Sequence, residues 1–128
     1  MLSGHGTTLD CVAFAYEACA RWASTDTFDG EEDVPLDSVP YPLSDAARRQ
    51  MRADVADFLD YCEGEGIPWA DAMTPEQLGH DFWLTRNRHG AGFWDLGLGD
   101  LGDRLTEAAH AWGEAYLYIG DEEEIHYG

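Results

Sequence analysis

The chain contains no lysine, and its seven basic residues, all arginine, face 26 acidic residues for a net charge of −19. Without lysine it cannot form a Walker-type phosphate loop, which needs a lysine after its glycines. A field of this sign repels nucleic acids and anionic membranes, so we exclude direct binding to either. It attracts basic surfaces, including those that bind DNA or RNA. GC-rich and salt-adapted proteomes also disfavour lysine, and composition alone leaves both interpretations open.

The chain also lacks any apolar run near the roughly 20 residues that a membrane span needs. Residues 1–10 have neither the basic start nor the apolar stretch of a secretory signal. Its three cysteines, Cys11, Cys19 and Cys62, include no CxxC pair, so free thiols are expected. We therefore predict a protein of the cytoplasm.

The chain nevertheless contains enough apolar residues to form one hydrophobic core. The chain has 128 residues, of which 45% are hydrophobic and five are tryptophan. A chain of this length is typical of one domain, with no linker and no repeat, so residues 1–128 are predicted to form a single acidic domain.

Apolar residues at helical spacing predict three helices, at residues 8–22, 44–62 and 99–112. Residues 24–42 carry six acids and three prolines, a composition typical of an exposed loop. The sequence thus predicts helices separated by at least one long acidic connection.

Aromatic-rich residues 81–86 and 91–95 flank a turn-forming segment at 87–90, which predicts a β-hairpin. Two short strands are predicted near the C-terminus, at 115–119 and 125–127. The expected fold is α+β, with a small β-sheet, made of the hairpin and a C-terminal strand, packed against two or three helices.

Acidic side chains gather in three segments: the loop, the outer face of the second helix, and the turn between the last two strands. We predict that these carboxylates stand in for phosphates and bind a basic partner. The residues are Asp29, Glu31, Glu32 and Asp33; Asp54, Asp57, Asp60 and Glu63; and Asp121, Glu122, Glu123 and Glu124.

Residues 80–95 read HDFWLTRNRHGAGFWD, and residues 102–108 read GDRLTEA. These two segments resemble the shared core of a group of small uncharacterised proteins of bacteriophages and other mobile elements. That core reads approximately HDFWLTRNxHGAGFWD followed by GD-x-LT-x-A. The resemblance covers roughly residues 74–121. It implies a mobile-element context and no catalytic activity.

The same segment holds a small basic island beside two tryptophans. Arginine and tryptophan are the residue types that most often anchor interfaces, so the predicted hairpin is a candidate interaction site. The alternative is that its tryptophans belong to the core. The candidate residues are His80, Trp83, Arg86, Arg88, His89 and Trp94.

Residues 97–102 match the GxGxxG dinucleotide fingerprint, but nearby aspartates would repel a pyrophosphate. We interpret these glycines as permitting the tight start of a helix. Neither HExxH nor a zinc-finger spacing occurs, so no metal and no cofactor are expected. No catalytic motif is recognisable, which favours a binding protein over an enzyme.

The leading hypothesis is a phage or mobile-element accessory protein that inhibits a basic, nucleic-acid-binding defence protein of the host by mimicking nucleic acid. One alternative is a small ligand-binding protein or enzyme. A second is a virion or assembly component, and self-association into a homodimer is left open. The pocket of the first alternative would be formed by His80, Asp81, Arg86, His89 and Asp95.

Overall fold

The computed structural model describes residues 4–88 and 92–128, which form an α+β fold as predicted. Four helices and two small antiparallel sheets are present in these residues, together with three short 3₁₀ turns. The helices are α1 Gly4–Ala23, α2 Asp45–Gly64, α3 Pro75–Arg86 and α4 Asp100–His110. The strands are β1 Thr25–Phe28, β2 Glu31–Pro35, β3 Leu117–Ile119 and β4 Ile125–Tyr127, and the 3₁₀ turns are Leu36–Ser38, Trp69–Asp71 and Phe93–Leu96.

The predictions of α1, α2, α4 and the two C-terminal strands are confirmed, with ends shifted by a few residues. Ser44 caps α2: its hydroxyl oxygen accepts a hydrogen bond of 3.0 Å from the Ala47 N–H. This bond satisfies one of the free N–H groups in the first turn of the helix. The cap fixes where α2 starts, directly after the bridge between Leu43 and β4.

Helix α3 packs closely against α1 because Gly79 has no side chain. A Cβ atom at this position would lie 2.2 Å from the Val12 carbonyl oxygen, well inside van der Waals contact. The approach places Phe82 of α3 against Tyr16 of α1, with ring centroids 5.2 Å apart, and against Phe58 of α2 at 4.0 Å. The three helices therefore share one aromatic core.

The two sheets each have two strands. β1 pairs with β2, and β3 pairs with β4 with Ile119 opposite Ile125. The sheets adjoin, because the Asp26 carboxylate of β1 accepts a 2.8 Å hydrogen bond from the Ile119 N–H of β3. This contact brings two hairpins that are distant in sequence to one end of the protein.

The hairpin predicted at residues 81–95 is wrong. Residues 81–86 are the last six of α3, and Phe93–Leu96 is a 3₁₀ turn. All six helical residues are buried, the polar ones included, so polar and apolar positions do not separate into an exposed and a buried face that would reveal a helical period. Of the predicted turn, His89 and Gly90 lie outside the described residues, as does Ala91 at the start of the second predicted strand.

The predicted loop at residues 24–42 is also corrected, since it contains the β1–β2 hairpin. Asp29 and Gly30 form its two-residue turn, both with positive φ, at 54° and 82°. Such turns match the twist of paired strands and favour Asp-Gly. Most of the hairpin's side chains are exposed, as the loop prediction required.

Within the described residues, none of the helices combines the length and the apolar character that crossing a bilayer would require.

Candidate functional site

The acidic end of the protein is formed by the tips of the two hairpins. In the β3–β4 hairpin the Gly120 N–H donates to the Glu124 carbonyl at 2.9 Å, which closes the turn. In β1–β2 the Asp29-Gly30 turn leads directly into the acidic start of β2. We define the acidic end by Asp29, Glu31, Glu32, Asp33, Asp121, Glu122, Glu123 and Glu124, all of them exposed except the half-buried Glu124.

A cleft of about 400 Å³ lies between the two tips. Carboxylates from both hairpins line it, Asp29 from one and Asp121 and Glu123 from the other. Phe28 and Tyr41 also line it, with their rings edge to face at 5.4 Å. The structure thus brings together two acidic segments that the sequence separates by almost 90 residues.

One group at this end has the chemistry of a cation site. A carboxylate oxygen of Glu122, another of Glu124 and a ring nitrogen of His126 all lie within 4.8 Å of one another. A 3.2 Å hydrogen bond between Glu122 and His126 accounts for part of this grouping, and exposed carboxylates often gather without an ion. We assign no metal here.

The basic side chains are largely withdrawn from the surface or paired. The Arg21 guanidinium donates hydrogen bonds of 3.1 Å to three backbone carbonyls that follow β2. Arg48 and Arg52 of α2 pair with carboxylates of α1, those of Glu17 and Asp10. Exposed carboxylates therefore dominate the described surface.

Arg86, predicted to lie at an exposed hairpin, is only 5% exposed. Its guanidinium pairs with the Asp54 carboxylate at 3.0 Å and donates to the hydroxyls of Tyr16 and Tyr127, each at 2.9 Å. Its other nitrogens donate to the backbone carbonyls at positions 112 and 113. This arginine is therefore a buried structural residue and is not available to a partner.

Burial raises the pKa of the Tyr16 phenol to about 12, although Arg86 and the hydrogen bond with Tyr127 act in the opposite direction. Burial also raises the pKa of Tyr127, and the nearby Tyr16 and Asp54 raise it further. Both phenols are thus held neutral beside the buried ion pair, where each accepts a hydrogen bond from Arg86 and Tyr127 donates to Asp54.

The acidic face predicted on α2 is only partly available. Asp57, Asp60 and Glu63 are exposed, but Asp54 is 16% exposed and is held by Arg86 and by the Tyr127 hydroxyl. A carboxylate with two internal partners cannot also stand in for a phosphate at the surface. Asp54 is therefore removed from the predicted contact surface, because it faces inward.

The other residues of the predicted hairpin site do not form one surface. Trp83 is buried in the core, as the alternative interpretation held, whereas Trp94 is 41% exposed on the Phe93–Leu96 turn. His80 lies beside Trp22 of α1, and Arg88 is exposed just after α3. His89 lies outside the described residues. The interaction site predicted at residues 80–94 is therefore not formed, because these residues are divided between α3 and a separate turn and face different surroundings.

The pocket of the ligand-binding alternative is likewise not assembled by the residues that the structure describes. The Asp81 carboxylate is buried and accepts hydrogen bonds from Gln77 at 2.7 Å and His80 at 3.1 Å, while Arg86 points into the core. Nothing is described for the side chain of Asp95 or for His89.

The glycines at 97–102 are explained by backbone conformation and close packing. Gly97 and Gly99 have positive φ, and a Cβ atom on Gly102 would lie 3.1 Å from the Phe93 carbonyl oxygen. A 3₁₀ turn, and no strand, precedes them. The dinucleotide fingerprint requires a strand there, so the interpretation as a tight helix start is retained.

Comparisons with family models, with curated proteins and with solved structures found no match to the chain.

The convergence of the two acidic tips was not predicted from the sequence. One signal for it was present: an Asp-Gly pair followed by Val34 and preceded by Phe28 is the strongest short-range mark of a two-residue hairpin. The contact between Asp26 and Ile119, which joins the hairpins, has no counterpart in local sequence.

Proposed function

We propose that this chain is a phage or mobile-element accessory protein that inhibits a basic, nucleic-acid-binding host protein. Its acidic end would occupy the basic groove of that partner in place of nucleic acid. The protein would then act in the cytoplasm of the host cell, where such a partner is found. The resemblance of residues 80–95 to proteins of mobile elements supports the biological context.

The observation that carries the proposal is the convergence of the two hairpin tips on one cleft. Three of the eight carboxylates of the acidic end line this cleft, and the other five lie on the same two hairpins, so a partner meets a high local density of negative charge. Like a nucleic-acid backbone, this surface offers repeated anionic acceptors to arginine and lysine side chains.

Charge pairing inside the fold supports the same function. Because Arg86 is paired with the Asp54 carboxylate inside the fold, its charge is compensated there and does not offset the carboxylates of the hairpins. A concentrated field of one sign accelerates association with an oppositely charged partner and weakens as salt screens it. The interaction is therefore expected to be fast and strongly dependent on salt.

The first test is a pull-down from bacterial host lysate with two bait variants of equal net charge. The hairpin variant carries D29N, D33N, D121N and E123Q. The matched helix variant carries D57N, D60N, E107Q and E114Q, which also tests the contribution predicted for α2. Asparagine tolerates the positive φ of Asp29 and Asp33, so the turns are kept.

We expect wild type and the helix variant to retain a nucleic-acid-binding protein at low salt and release it at high salt, and the hairpin variant to retain little. Equal losses in both variants would mean that overall charge, and not the acidic end, governs binding. Retention that does not change with salt would also contradict the proposal.

The second test is competition. Purified partner is mixed with fluorescent duplex DNA, and increasing amounts of the chain are added while anisotropy is followed. Mimicry requires the chain to displace the DNA. A ternary complex, in which partner binds chain and DNA together, would show that the acidic end binds elsewhere.

A further inference from the structure

The outer face of the β3–β4 hairpin carries a row of three aromatic rings. Tyr116 and Tyr118 are 63% and 41% exposed, and their ring centroids lie 5.9 Å apart. The ring of His126, which pairs with Tyr118 across the two strands, lies 5.6 Å from the Tyr118 ring. Side chains alternate between the two faces of a strand, and the neighbouring Leu117 and Ile125 are buried. We define the aromatic row by Tyr116, Tyr118 and His126.

Gly128 leaves the start of the aromatic row uncovered. It lies opposite Tyr116, and the two residues exchange backbone hydrogen bonds of 3.0 and 2.9 Å. A Cβ atom on Gly128 would lie 3.4 Å from the rings of both Tyr116 and Tyr118, so a larger side chain would cover part of them. Tyrosine is one of the residue types enriched where proteins meet. The exposed rings are therefore a candidate contact surface.

The aromatic row continues into the acidic end at His126. Carboxylate oxygens of Glu122 and Glu124 lie within 4.8 Å of a ring nitrogen of this histidine. Glu122 is hydrogen-bonded to the ring at 3.2 Å, whereas the Glu124 carboxylate has no hydrogen-bond partner in the described part of the chain. Rings and carboxylates thus form one continuous surface on the hairpin.

Aromatic rings beside carboxylates suit the guanidinium group of arginine. The group is planar, stacks on aromatic faces, and donates a fork of hydrogen bonds to carboxylates. A lysine ammonium is a compact, strongly hydrated charge without a flat face. Nucleobases also stack on tyrosine, but the phosphates joined to them would be repelled by the acidic end. The surface therefore favours arginine over lysine, and a protein over a nucleic acid.

We propose that the aromatic row binds arginine side chains of the basic partner. One guanidinium lies over the row beside His126, where it donates to the Glu124 carboxylate, and a second stacks on Tyr116. This inference rests on the proposed function and adds a selectivity to it, because the partner is recognised by its arginines and not by positive charge alone. The contact surface of the acidic end thereby extends along β3.

The test compares nona-arginine with nona-lysine, two peptides of equal length and charge, by fluorescence anisotropy of the labelled peptide at one low NaCl concentration. The row variant carries Y116L and Y118L, which remove the rings and keep the charge of the chain. Its matched control carries F14L and Y61L, at aromatic residues of α1 and α2 that are 73% and 43% exposed. Thermal unfolding checks that each variant is folded.

A second pair of variants separates the carboxylate beside the row from overall charge. E124Q removes that carboxylate, and D57N removes one from the exposed face of α2. In wild type, nuclear Overhauser effects between tyrosine ring protons and the δ-methylene protons of nona-arginine locate the peptide without any substitution.

We expect wild type and the control with F14L and Y61L to bind nona-arginine about fivefold tighter than nona-lysine, since one exposed cation–ring contact strengthens binding by roughly two- to fivefold. The row variant should lose this preference. E124Q should reduce it by about twofold, and D57N should leave it unchanged. The Overhauser effects should connect arginine with Tyr116 and Tyr118.

Two kinds of failure can be told apart. Equal affinities of wild type for the two peptides, a preference unchanged in the folded row variant, or Overhauser effects confined to other tyrosines would overturn the inference and leave the proposed function intact. Failure of both peptides to bind at low salt would contradict the proposed function, and this inference with it.

Discussion

Arg86 and Asp54 form an ion pair of 3.0 Å between α3 and α2, with the arginine 5% and the aspartate 16% exposed. The pair is accompanied by two tyrosine hydroxyls and two backbone carbonyls, so each nitrogen of the guanidinium has at least one acceptor. A buried charge tolerates its loss of solvent only when it is paired in this way.

Removing one partner of the pair should therefore destabilise the fold strongly. We expect R86M to lower the free energy of unfolding by about 3–5 kcal/mol, because it leaves the Asp54 charge without its partner. R86K should rescue little, since lysine cannot reproduce the planar fork of donors. Urea unfolding measures the change. The control is R49M, at an exposed position, which should lie within about 0.5 kcal/mol of wild type.

The protein should lose stability in alkali as its buried phenols ionise. Tyr16 has a pKa of about 12 in the folded chain against an ordinary value of 10, so its contribution is complete below pH 10 and is lost as pH rises towards 12. At about pH 11 the loss from this residue is on the order of 1 kcal/mol.

This pH dependence is measured by urea unfolding between about pH 8 and pH 11. In Y16F the free energy of unfolding should fall by about 1 kcal/mol less between pH 8 and pH 11 than in wild type. The control Y116F, at an exposed tyrosine, should show the same fall as wild type. Equal slopes for Y16F and wild type would show that Tyr16 ionises in the folded protein as readily as in the unfolded one.

The contact between α1 and α3 depends on Gly79. We expect G79A to destabilise the fold by about 1–3 kcal/mol, because the new methyl group would meet the Val12 carbonyl and push the helices apart. G64A, at the end of α2 with open space around it, should be neutral or stabilising by up to about 1 kcal/mol. Thermal and urea unfolding compare the two. A neutral G79A would contradict the close approach.

Repulsion among the carboxylates should make stability depend on salt. Raising NaCl from about 10 mM to about 0.5 M shortens the Debye length from about 30 Å to a few ångströms, so the melting temperature should rise. The rise should be smaller in the variant with D29N, D33N, D121N and E123Q, which removes clustered charges. A melting temperature that falls with NaCl would mean that attractive pairs outweigh repulsion in the fold.

The helices that could be predicted from the sequence are those with two distinct faces. In α2 the buried Met51, Val55 and Phe58 alternate with exposed acids, so the period is visible. Helix α3 is different, because every residue from Asp81 to Arg86 is buried and its aromatics favour strands by propensity. Because this segment is enclosed by α1, α2 and α4, it lacks the solvent-exposed polar face from which helical spacing is recognised.

For the candidate site, local sequence indicated which residues are acidic but not which of them meet. Asp54 and Asp57 belong to the same acidic pattern in the sequence of α2, yet the ion pair with Arg86, 32 residues away, holds Asp54 inward. The joining of the two hairpins depends on Asp26 and Ile119, 93 residues apart. Such pairings are set by tertiary packing, which no local pattern encodes.

The hydrogen bond between the hydroxyls of Tyr16 and Tyr127 spans 111 residues, and Arg86 lies between them. During synthesis, α1 leaves the ribosome long before β4 exists, and the buried arginine has only part of its acceptors until residue 127 emerges. Arg86 itself is added after about two thirds of the chain, so its full set of acceptors is completed only in the last part of synthesis. Because the last strand supplies the Tyr127 hydroxyl, the buried polar cluster can close only when the whole of β4 has been made.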